Sequence, residues 1–184
     1  MRIGVDPIVA VNAIIEEGAA RRLSLTHLQV QKVLYFAHAM CLVEARRPLI
    51  DGEFEAWKHG PVCREVYSEL RRFGSEPIER PLSIVDPISG VEIQTDDVLD
   101  SELATIVARC VEFFGRFSAG KLVDLSHARN GPWDFVVREA ESSVNIGLRI
   151  EDEVIVQRYR HHWLRSDPED EKEIWDEDSP FAAN

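Results

Sequence analysis

At 184 residues the chain fits one domain, or one domain and a tail, and its 45% hydrophobic content supports a real core, which excludes an intrinsically disordered protein. A formal net charge of −12 argues against a nucleic-acid backbone as the main partner, because phosphates repel acidic surfaces. Three widely separated cysteines (Cys41, Cys63, Cys110), no apolar leader in MRIGVDPIVA and no apolar run of membrane-spanning length lead us to expect a cytoplasmic protein with no disulfide framework and no membrane partner.

Asp6-Pro7 should start the first helix, as N-cap and first helical residue, with Ile8, Val11, Ile14 and Ile15 as its stripe and Gly18 as its stop. Ser24 and Thr26 are candidate N-caps for the second, and Thr26 with Gln29 fits a capping box. That helix should run to about Glu44. Its apolar residues, from Leu28 to Leu42, nearly encircle it, so it should be central and packed on several sides. Arg46, Arg47 and Pro48 end it. Phe54-Glu55-Ala56-Trp57 alternates like a strand. Gly60-Pro61 should then break it and open a helix carrying Val62, Val66, Tyr67 and Leu70 on one face, closed by Phe73-Gly74. Residues 76–94, rich in proline and β-branched side chains, read as an irregular arm or a hairpin around residues 86–90.

Asp100 should cap a helix bearing Leu103, Ile106, Val107, Cys110, Val111 and Phe114. Ser118 starts another, closing near Asn130-Gly131, and Pro132-Trp133 opens a short one to about Ala140. Residues 144–150 alternate weakly, and residues 151–164 suit a last helix. The fold expected is mainly α, about seven helices with a small β hairpin or extended element, in a single domain over residues 1–165. Residues 166–184 are expected to form an acidic tail: within 167–178 eight acids face Lys172 alone, a net −7. Such runs are usually solvated, although Trp175 and Phe181 would also suit anchors on a basic partner.

Chemistry has little to build on. No phosphate-cradling Gly-rich loop, H-E-x-x-H or G-x-S-x-G is present, so we expect no catalysis, cofactor or metal site. A hydrolase using Cys63, His127 and Asp124 can be drawn, with His59 and Cys63 at i and i+4 across a helix start, where a helix N-terminus would favour a thiolate. Against it stands the plainer reading of Cys63 as a small buried residue and the histidines as structural hydrogen bonders. His161-His162 does not suit a metal, because adjacent helical residues point apart. Trp57 and Trp133 each lie near a Gly-Pro pair where a loop meets a helix; they are either loop-pinning aromatics or hot spots at a groove edge. Lys32, His38, Lys58 and His59 are either polar members of such a surface or a solvated face. Asp124 and His127, at i and i+3, suit a local pair that fixes the imidazole tautomer.

Three segments in order, LQVQKVLYFAHA (28–39), EAWKHGPVCREVY (55–67) and LVDLSHARNGPW (122–133), resemble the Panacea domain, a family of phage- and plasmid-associated antitoxins. The resemblance spans roughly residues 8–140. One departure, Val30-Gln31 where Lys-Leu-Gln is common, is expected to change a surface charge. Membership implies a non-enzymatic protein that neutralises a co-encoded protein toxin by direct contact. Likeness to the family's named bacterial example implies, further, a proteolytic adaptor that hands the toxin to the ClpXP protease. The expected partner-binding residues are Lys32, Tyr35, His38, Trp57, Lys58, His59, Tyr67, His127 and Trp133.

Overall fold

A computed structural model of the chain describes residues 4–83, 88, 90, 98–142 and 148–160. Helix α1 spans Pro7–Ala20 and begins as its sequence directs: the Asp6 carboxylate accepts from the Ile8 amide at 2.8 Å. Gly18 does not stop it. That glycine is buried inside the last turn, where an added Cβ would lie 3.0 Å from Leu25, so its small size serves packing. Helix α2 spans His27–Met40 and continues as a π-helical turn, Cys41–Ala45, up to Arg46 in the left-handed conformation. Its N-terminus carries the expected box, in which the Gln29 side-chain oxygen accepts from the Thr26 amide at 3.0 Å.

Twelve of the fourteen residues of α2 are buried. The helix packs on α1 and on β2 (Gly60–Cys63), α3 (Arg64–Leu70), α4 (Ser101–Phe114), α5 (Ala119–Ser126) and α7 (Asp152–Arg158). Phe36 stacks on Phe114 at 4.4 Å, and Tyr35 meets Phe54 edge-on at 5.4 Å. Asp100 and Ser118 cap α4 and α5 as expected, through bonds to Leu103 N and Lys121 N. Helix α5 ends at Ser126, earlier than Asn130-Gly131, and a turn with Asn130 at φ 63° leads to α6, Pro132–Ser142. Val30 and Gln31 are 0% and 1% exposed, so the departure from the family pattern there falls in the core and leaves the surface charge untouched.

The sheet corrects one reading. Gly60-Pro61 does not open a helix; it belongs to β2, which pairs antiparallel with β1 (Phe54–Trp57), Trp57 opposite Gly60 and Phe54 opposite Cys63. Strand β3, Arg149–Ile150, pairs with the other side of β1, giving the order β2-β1-β3. A proline is tolerated because β2 is an edge: the backbone groups of Pro61 and Cys63 face away from β1, where proline has no ladder bond to lose. Gly60 takes φ 92°, the left-handed position that follows a hairpin turn. Helix α3 starts only at Arg64, so His59 and Cys63 do not share a helix; His59 is in the turn and Cys63 ends the strand.

Among the described residues no helix is long and apolar enough to cross a membrane. The arm around residues 86–90 falls largely, and His161-His162, the end of the expected last helix and the acidic tail wholly, outside the described residues. Because Leu34 and Phe36 are 0% and 1% exposed, Leu34→Ala and Phe36→Ala should each cost about 2–5 kcal/mol of stability in urea denaturation, with unchanged far-UV circular dichroism before the transition.

Candidate functional site

The β1–β2 hairpin gathers most of the residues singled out in the sequence. Alternation along β1 places Glu55 and Trp57 on one face, and Glu55 accepts from the Trp57 indole at 2.8 Å. Arg64 grips the same carboxylate with two bonds, at 3.0 and 2.9 Å, so the acceptor of the indole is itself fixed. These bonds hold the Glu55 carboxyl below its ordinary range against the opposing effect of burial. Tyr67, projecting from α3, packs on Trp57 at 4.8 Å and on His27 at 5.2 Å. His27, Gln31, Trp57, His59, Val62 and Tyr67 line a slot of about 20 Å³, room for little more than one water.

On its other flank the hairpin leans on the ends of α5 and α6. The Trp133 indole donates to Trp57 O at 2.8 Å, and the Trp133 ring stacks on His127 at 3.8 Å, 22° from parallel. Beneath lies Lys32, fully buried, its side-chain amine donating to Pro61 O at 2.8 Å. Burial pushes this lysine down to about 7. His127 falls to about 3, first through burial and then through the neighbouring positive potential of Lys32 and His59. Its Nε2 is enclosed and has no hydrogen-bond partner among the described residues. The contact of His127 with Asp124 is a backbone one, His127 N to Asp124 O at 3.2 Å, and the imidazole turns to Trp133 instead.

Of the nine residues expected to meet a partner, seven converge on this hairpin: Lys32, Trp57, Lys58, His59, Tyr67, His127 and Trp133. They do so at different depths. Trp57, Tyr67, His127 and Trp133 are half-buried and Lys58 is exposed, whereas Lys32 and His59 are buried. Tyr35 and His38 are elsewhere and also 0% exposed. His38 is a core linker, with Nδ1 taking the Ile50 amide at 3.4 Å, which leaves Nε2 to donate to Asp152 at 3.0 Å. Neither a surface role nor a solvated face therefore describes Lys32, Tyr35 or His38: Lys32 supports the turn from within, and Tyr35 and His38 belong to the core. Sequence reasoning passed over His27, Gln31, Glu55, Arg64 and Ser126. The signal available was the pair Gln31-Lys32, polar residues on a helix otherwise apolar all round.

The arrangement gives no support to a cysteine nucleophile. Cys63 Sγ faces Gly52, where an added Cβ would lie 3.7 Å away, while His127 stacks on Trp133. Burial pushes the Cys63 thiol up to about 11, away from the thiolate that nucleophilic attack requires. Packing around the turn is tight: a Cβ on Gly60 would fall 2.3 Å from Ser126 Oγ and 3.2 Å from Lys32 Nζ. Gly60→Ala, which also opposes φ 92°, should therefore destabilise the chain by about 1–3 kcal/mol in urea melts, and Ser126→Gly should recover part of the loss.

The family described as "Antitoxin SocA-like, Panacea domain" matches residues 30–134, a span that includes the hairpin, α5 and Trp133. The chain is 38% identical over 156 residues to Antitoxin SocA of Caulobacter vibrioides (strain NA1000 / CB15N), covering 85% of this chain and 83% of that protein. No solved structure matches. The chain belongs to the SocA-like antitoxin family with a Panacea domain.

Proposed function

We propose that this protein is a cytoplasmic antitoxin that binds and neutralises a co-encoded protein toxin, acting as a proteolytic adaptor that presents the toxin to the ClpXP protease. The observation that carries the reading is the 38% identity with a protein named Antitoxin SocA over most of both chains. We assign toxin contact to the hairpin rim, where Trp57, Tyr67 and Trp133 are partly open beside exposed Lys58. Aromatic rings held by hydrogen bonds lose little side-chain freedom when a partner covers them, which is what interface hot spots require. His127 backs the rim by stacking on Trp133, Lys32 holds the turn from inside through Pro61 O, and His59 is buried within the turn itself. An adaptor needs a second surface, and the acidic residues 166–184, a strongly charged segment beyond the matched region, are assigned to it.

Co-expression of the chain with the small protein encoded beside it tests the reading. The neighbour alone should arrest growth and the pair should not. Trp57→Ala and Tyr67→Ala should each weaken toxin binding by at least about tenfold, a loss of roughly 1.4 kcal/mol or more, with melting temperature little changed. A chain ending at Leu164 should keep toxin binding, while the toxin's half-life with ClpXP lengthens. Cys63→Ser should protect as well as the parent; loss of protection by a folded Cys63→Ser protein would favour the hydrolase reading instead. A harmless neighbour, or rim variants that bind normally, would remove the basis for this assignment.

A further inference from the structure

We infer that the hairpin is a proton-operated latch: His127 and Lys32 hold its turn closed against α2, α5 and α6 when they are uncharged, and taking up protons releases it. The inference concerns the fold alone and does not depend on which partner the rim takes.

The geometry gives the latch two ends of different character. At the Cys63 end the hairpin is tied by neutral groups: the Gln31 amide donates to Cys63 O and accepts from Cys63 N, both at 3.2 Å. The ties themselves carry no titratable group; beside them stand the Cys63 thiol, which burial pushes up to about 11, and the Glu55 and Glu65 carboxyls, the first held below its ordinary range and the second raised by burial. At the turn end every tie meets a basic group. Lys32 donates to Pro61 O, and Trp133, which holds Trp57 O, rests on the His127 ring. The titratable groups facing His127 are Lys32 from α2 and His59 from the turn; α6 presents Trp133, which carries no charge. Within its own helix, Asp124 meets His127 through the backbone. A proton on His127 would place a positive charge beside the Lys32 amine in a closely packed region, where a Cβ on Gly60 would already clash with Ser126 and lie 3.2 Å from Lys32 Nζ.

The sign follows from linkage. Both bases have lowered affinity for protons when the turn is closed, and regain ordinary values, near 6.5 for histidine and 10.5 for lysine, when it is open. Closure is therefore favoured at high pH. As pH falls from 10.5 towards 7 the open form gains a proton on Lys32, and as it falls from 6.5 towards 3 it gains one on His127. In each window the opening constant should rise by up to about tenfold per pH unit.

Native-state hydrogen exchange of the full chain, corrected for intrinsic rates, tests this between pH 5 and 9. The Trp57 and Val62 amides should exchange through an opening more frequent than that of Val107 and Val111 in α4. That opening should increase at least about tenfold from pH 6.5 to 5, as one proton requires. His127→Phe, which keeps a ring against Trp133, should abolish the rise below pH 6.5 and leave the upper window. Lys32→Met should flatten the change between pH 7 and 9. If His127→Phe does not fold, His127→Gln takes its place. The proposal is overturned if hairpin and α4 amides open together at every pH. It is also overturned if hairpin opening in the parent is unchanged from pH 6.5 to 5, or if the rise survives in the folded His127 variant.

Discussion

The structure depends on two polar side chains of a buried helix reaching the open edge of a hairpin. Helix α2 is enclosed on almost all sides, and an enclosed helix is normally apolar throughout. Gln31 and Lys32 break that rule because β2 lies alongside with its outer carbonyls and amide unsatisfied by the sheet. Gln31 supplies one donor and one acceptor to Cys63, and Lys32 supplies a donor to Pro61. Leaving those groups unpaired in the interior would cost about 1–3 kcal/mol apiece. The lysine is the expensive partner. Holding its proton at this depth is disfavoured by about 5 kcal/mol, from the fall from 10.5 to about 7. An amine that hydrogen-bonds whether or not it is charged fits such a position.

Everything near the site is arranged around that contact. Gly60 is obligatory because Ser126 and Lys32 leave no room for a side chain, and its φ 92° aligns the turn over them. With the turn fixed, Trp57 O faces the Trp133 indole, and Trp133 in turn covers His127. The outer face is organised by Glu55, which serves Trp57 and Arg64 together. The aromatic rim thus stands on a hydrogen-bonded base, with the hydrophobic core of Tyr35, Phe36, Phe54 and Phe114 behind it. One helix serves both purposes.

Features decided by neighbours in sequence were legible. The caps at Asp6, Thr26, Asp100 and Ser118 involve partners within three residues, and the encircling apolar pattern of α2 correctly marked it as central. What failed was decided by distant pairing. Gly60-Pro61 satisfies the local rule for a helix start, and only the register against Phe54–Trp57 makes it a strand. Gly18 satisfies the rule for a stop, yet Leu25 needs its small size inside the helix. Lys32 and His38 are polar, so sequence alone sends them outward; their partners, Pro61 and Asp152, lie 29 and 114 residues away. The motifs still led to the right region, because residues 55–67 and 122–133 meet across the Trp57–Trp133 bond.

The side chains that close off β2 also govern how this molecule behaves in a crowd. A free strand edge invites a second strand to add to it, whether from a neighbour of the same kind or from an unrelated chain in the act of folding. Here that edge is already occupied from within, by an amide and an amine that mimic the missing strand. The protein can therefore accumulate to high local concentration without polymerising through this side of its sheet.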